Sequence, residues 1–135
     1  MKFNKILFAA LFLAACGGPL KYQVASSPKA PGADANIVAD VREDQNQTGL
    51  EIEIKNLAPA GRVAEGATDY VAWYRKGSDT QWSRIGGVAY DTESREGKLS
   101  GTVPEKAFDL EITAEKAESP ASPSPDVVFS QRVAK

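Results

Sequence analysis

A chain of 135 residues with 42% apolar side chains has room for one globular domain and not for two. Its 16 basic residues are matched by 18 acidic ones, so the clustered positive charge that a phosphate backbone requires is missing and no nucleic-acid partner is expected. Histidine is absent and Cys16 is the only cysteine, which excludes an intrachain disulfide, the commonest zinc ligand and the most versatile acid–base side chain near neutral pH.

Lys2 and Lys5 open the chain and are followed by the apolar run Ile6, Leu7, Phe8, Ala9, Ala10, Leu11, Phe12, Leu13. A membrane-spanning helix takes about 20 such residues, so this shorter run fits the core of a cleaved signal helix over residues 1–15. It has no polar face, which a helix of a folded domain would show. Leu13, Ala14, Ala15 and Cys16, followed by Gly17 and Gly18, resemble the bacterial lipobox at every position. The resemblance implies cleavage before Cys16 and attachment of diacylglycerol to its thiol, often with a third chain on its amine. At ~0.8 kcal/mol per buried methylene, two or three acyl chains hold a protein firmly to a bilayer where one does not. A core cysteine behind an ordinary secretory signal is the competing reading. Position 17 lacks the aspartate that retains such proteins at an inner membrane, so in a host with two membranes the outer one is favoured. Loss of Lys2 and Lys5 leaves 14 basic against 18 acidic residues, a net charge of about −4.

Residues 16–35 are rich in Gly, Pro, Ser and Ala and are expected to form a lipidated flexible tether, with a short edge strand at 21–25 before Pro28 and Pro31 intervene. The domain proper is expected over 36–135. Ile37, Ala39 and Val41 alternate with polar neighbours, as do Leu50, Ile52 and Ile54, with a polar hairpin loop at 43–49 between them. Tyr70, Val71, Ala72, Trp73 and Tyr74 form an unbroken run of strand formers, the pattern of a central strand covered on both faces. Residues 82–90 read as a further strand, bent or bulged at Gly86 and Gly87. A charged loop at 91–97 precedes the alternation of Leu99, Gly101 and Val103. Phe108, Leu110, Ile112 and Ala114 mark another half-buried strand. Pro120, Pro123 and Pro125 forbid regular pairing, and 127–133 form the last strand. Seven or eight short strands with no helical period after residue 15 predict an all-β antiparallel sandwich, immunoglobulin or fibronectin III-like by default.

The order of Asn-Leu-Ala-Pro at 56–59, Tyr-Val-Ala-Trp at 70–73, the glycine-containing strand at 85–88, Phe-Asp-Leu-Glu-Ile-Thr-Ala-Glu at 108–115 and Ser-Pro-Ser-Pro-Asp-Val-Val at 122–128 resembles small bacterial exported proteins. More distantly it resembles the extracytoplasmic C-terminal domain of anti-sigma-K-type factors. The resemblance implies a β-sandwich outside the cytoplasm and brings no catalytic residue with it. A sigma-binding region and an internal transmembrane segment are absent from the sequence, which argues against direct sigma-factor regulation.

Tyr70, Trp73, Tyr74, Trp82 and Tyr90 could stack against a sugar or peptide, although core packing claims most such residues. Trp82, which follows a polar turn, is the aromatic expected at the surface and the candidate ligand contact. Asp40, Glu43, Asp44 and Asn46 offer oxygen ligands but lack the spacing of a calcium loop. Glu51 and Glu53 share a strand face with no opposing acid in view. Serine has no histidine to activate it, and Gly-x-Ser-x-Gly does not occur. The expectation is therefore a non-enzymatic envelope lipoprotein without cofactor or metal, held to a membrane through Cys16 and meeting an envelope protein or carbohydrate. The alternative is a sensory or regulatory module acting beside a membrane-bound partner.

Overall fold

The computed structural model describes residues 18–117 and 120–135, so the expected signal helix and Cys16 lie outside the described residues. The domain is all-β, with two antiparallel sheets facing each other across one apolar core in the manner of a β-sandwich. Among the described residues nine strands form it: β1 (Leu20–Ala25), β2 (Asp34–Arg42), β3 (Gln47–Lys55), β4 (Asp69–Arg75), β5 (Ser83–Gly87), β6 (Ala89–Asp91), β7 (Glu96–Val103), β8 (Phe108–Glu115) and β9 (Val127–Val133). One sheet has the order β1-β2-β3-β7-β6 and the other β5-β4-β8-β9. A single helical turn, α1 (Ala60–Val63), lies in the β3–β4 connection.

Alternation builds the core as the sequence suggests. Ala35, Ile37 and Ala39 of β2 and Leu50, Ile52 and Ile54 of β3 are buried, while Glu51, Glu53 and Lys55 point to solvent. From the other sheet, Phe108, Leu110, Ile112 and Ala114 of β8 meet them together with Tyr70 and Ala72 of β4. Val41, expected in the same row as Ile37 and Ala39, is only half-buried, near the end of β2 where the core runs out.

Three features depart from expectation. The edge strand expected at 21–25 is present as β1, paired with β2 from Leu20 opposite Ala39 to Ala25 opposite Asp34, but the residues after it, read as tether, are packed structure as well. Ala30 and Ala33 are buried beyond it, and Ser27 ties the connection to the far sheet by donating from its N–H to Val128 O (2.9 Å) and from its hydroxyl to Val127 O (2.7 Å). Small apolar side chains among prolines bury without producing a periodic signal. The 43–49 loop is shorter than expected, a 3-10 turn over Glu43–Gln45 closed by Asn46 in the left-handed region (φ 52°), a conformation asparagine tolerates. The strand expected over 82–90 is two strands. After Gly87 the chain leaves one sheet, Val88 donates to Tyr70 O (2.9 Å), and Ala89 begins β6 in the other. Pairing of β4 with β5 skips Ile85, so the bulge sits one residue before the glycines.

Register divides the molecule into two ends. The connections 43–46, 76–82 and 104–107 lie at the end where β1 begins and β9 finishes, while 26–33, 56–68, 92–95 and 116–126 lie at the other.

Candidate functional site

The face of the β5-β4-β8-β9 sheet turned away from the core carries the most chemically varied surface. Strand alternation places Val71, Trp73 and Arg75 of β4 on that face, because Tyr70 and Ala72 belong to the core and Tyr74 packs against it. The register then sets Trp73 opposite Glu111 and Arg75 opposite Asp109, with Ser130 and Arg132 of β9 beyond them.

Two parts of this face differ in character. Towards the 116–126 connection it is buried: Val71, Trp73 and Thr113 are almost fully covered and Glu115 is 5% exposed. The Trp73 indole N–H donates to Thr113 Oγ1 (2.9 Å), the Thr113 hydroxyl donates to Glu115 Oε2, and the Ser124 N–H donates to the same oxygen (2.8 Å). The Ser124 hydroxyl adds a bond to Ala114 O (2.8 Å), so residues 120–126, which form no strand, are clamped to the sheet.

The opposite half is open. Arg75 Nε and Arg132 Nη1 donate to the two oxygens of Asp109 (3.1 Å each), and Arg132 also donates to Lys76 O (2.9 Å). The Arg75 guanidinium carbon sits 4.4 Å from the centre of the Trp82 ring, a cation–π contact that fixes the indole at the approach to β5. Arg75, Trp82, Asp109, Glu111, Ser130 and Arg132 line a depression of ≈ 330 Å³. These ion pairs are partly solvated and contribute at most about 1 kcal/mol each, so they orient the side chains more than they hold the fold.

Glu111 is the perturbed acid of this surface. Burial raises its pKa, the Arg75 charge offsets part of that rise, and Glu115 adds to it. The fold therefore favours the protonated carboxyl. Its contribution to stability is full below the unfolded pKa of about 4.3 and is lost as pH rises through the higher folded value. Glu111→Gln is expected to melt close to the wild type in acid and above it at neutrality, with the gap in Tm widening as pH rises. Thermal melts of both proteins across that range check the sign.

The other sequence candidates fall elsewhere. Tyr70 and Tyr90 meet edge-to-face (centroids 5.8 Å apart), and their hydroxyls donate to Ala58 O and Leu57 O. Burial pushes both phenols above their ordinary pKa. Tyr74 packs edge-to-face on Phe108. With Trp73 also buried, the five aromatics assemble no common platform, and Trp82 is the one that borders the depression. Asp40 pairs with Arg42 and Glu43 with Lys135, and among the described residues no group of three or more acids or cysteines is placed to hold a metal ion. Glu51 and Glu53 are exposed, the latter opposite Lys98. No carboxyl stands directly opposite either of them, Glu51 facing Val38 and Ser100 and Glu53 facing Asn36 and Lys98. Gly49 and Gly101 open a larger shallow depression of ≈ 490 Å³ beside Glu51, but no aromatic lines it.

Arg75, Asp109, Glu111 and Arg132 went unnoticed in the sequence. Alternation in 108–115 puts Asp109 and Glu111 on one face, yet pairing them with Arg75 and Arg132 requires the register of three strands. The class this geometry defines is an all-β domain of two antiparallel sheets with a polar and aromatic surface depression. Comparison with known protein families, with characterised proteins and with solved structures yields no match.

Proposed function

We propose that this chain is a lipid-anchored protein of the bacterial envelope whose immunoglobulin-like sandwich binds a partner and catalyses no reaction. The lipobox at 13–16 carries the reading: leader, small residues and the sole thiol stand directly in front of a domain whose first strand starts at Leu20. The immunoglobulin-like assignment is supported by strand order. Leaving β1 aside, β2-β3-β7-β6 against β5-β4-β8-β9 matches the ABED and C′CFG arrangement of such domains. A binding role is supported by the Trp82 depression, where an indole, two guanidinium groups and two carboxyls suit the hydroxyls of an envelope carbohydrate or the polar face of an envelope protein. The outer membrane is the proposed address in a host with two membranes, on the residue at position 17.

Cys16→Ser tests the anchor. The variant is expected to stay uncleaved at position 16 and unlabelled by a fatty-acid probe, while the wild type is cleaved there, sediments with membranes and takes the label. A variant that stays with the membranes and matures at the same residue refutes the reading.

A further inference from the structure

Strand β2 starts at the end of the domain that carries the connections 26–33, 56–68, 92–95 and 116–126, so a sandwich of β2–β9 alone would take its chain entry there. β1 reverses that entry. It runs antiparallel to Asp34–Ala39 of β2 and carries the N-terminal side back towards the end bearing 43–46, 76–82 and 104–107.

β1 is also fastened along its length. All six of its residues pair with β2, and at its starting end the Tyr22 hydroxyl donates to Ala134 O (3.3 Å) while accepting from the Ala134 N–H (3.2 Å). At its finish, Ser27 is bonded to the β9 carbonyls described above. The four peptide units from Cys16 to Leu20 span at most ~14 Å. Leu20 stands opposite Ala39, five residues or roughly 17 Å along β2 from Asp34, so Cys16 falls short of the other end.

We infer that β1 fixes the orientation of the domain on its bilayer. The end carrying 43–46, 76–82 and 104–107 lies against the headgroups, and the loops 26–33, 56–68 and 92–95 point away. This rests on the lipidation of Cys16. It places Trp82 and the Arg75–Asp109–Arg132 cluster in the membrane-proximal half, so that a partner of that depression reaches it near the bilayer surface.

Ser78 and Ser94 are exposed residues of turns at opposite ends. In the lipidated protein, Ser78→Cys and Ser94→Cys each present one free thiol for a fluorophore. The labelled proteins are reconstituted in phosphatidylethanolamine and phosphatidylglycerol vesicles that carry a nitroxide on a fraction of their headgroups. Quenching at 78 is expected to be several-fold stronger than at 94. Inserting about twenty Gly and Ser residues between Gly18 and Pro19, with an r.m.s. reach of roughly 25 Å, is expected to erase the difference. Equal quenching, the reverse order, or a difference that survives the insertion overturns the orientation. Vesicle flotation separates the two claims. Protein that floats with the wrong quenching order refutes the orientation alone, whereas unmutated protein that fails to float refutes lipidation and the orientation with it.

Discussion

Trp73→Ala is expected to lower the unfolding free energy by about 3–5 kcal/mol, the range for truncating a buried large aromatic. The indole is 1% exposed although it points away from the inter-sheet core, on a face that many sandwiches leave wet. An exposed position would lose no more than about 0.5 kcal/mol. The magnitude therefore reports whether the β5-β4-β8-β9 sheet is covered on both sides. Urea unfolding measures it, through a lower midpoint at unchanged slope. A loss under about 1 kcal/mol would mean that the outer face is open at Trp73.

Glu115→Ala is expected to cost about 3 kcal/mol, because the Thr113 hydroxyl and the Ser124 N–H both lose their acceptor in a covered site. Glu115→Gln keeps one carbonyl oxygen and should lose less. The alanine variant should also be cleaved faster within 120–126, since the Ser124 contact helps hold that segment to the sheet. Chemical denaturation and limited proteolysis read the two effects separately. A variant as stable and as protease-resistant as the wild type would show the clamp to be dispensable.

Most of the scaffold was legible because it follows one rule, alternation against a single core. Ile52, Ile54, Leu110 and Ile112 announce their strands, and the unbroken run at 70–74 marks a strand buried on both faces. Three things were not legible. The packing of 26–33 rests on Ala30 and Ala33, side chains too small to stand out among Pro28, Pro31 and Gly32. The division of 82–90 into two strands depends on which sheet offers the next partner, a tertiary matter that Gly86 and Gly87 permit but do not specify. The Trp82 surface joins residues from β4, β5's approach, β8 and β9, and a charged residue on a strand gives no sign of which opposite charge the register will set beside it. Glu115 is the clearest case. At the end of an amphipathic strand it reads as a solvated acid, and only the fold of 120–126 over it makes it a buried hydrogen-bond acceptor.

The antiparallel pairing of β1 with β2 also determines how the domain responds to tension. A pull between an anchor below Leu20 and a partner gripping the opposite loops would drag β1 along its own axis, and ladder hydrogen bonds lie perpendicular to that axis. The six residue pairs would then be sheared together instead of being unzipped singly. The outermost strand of the sheet is thus the one placed to resist being stripped from the rest.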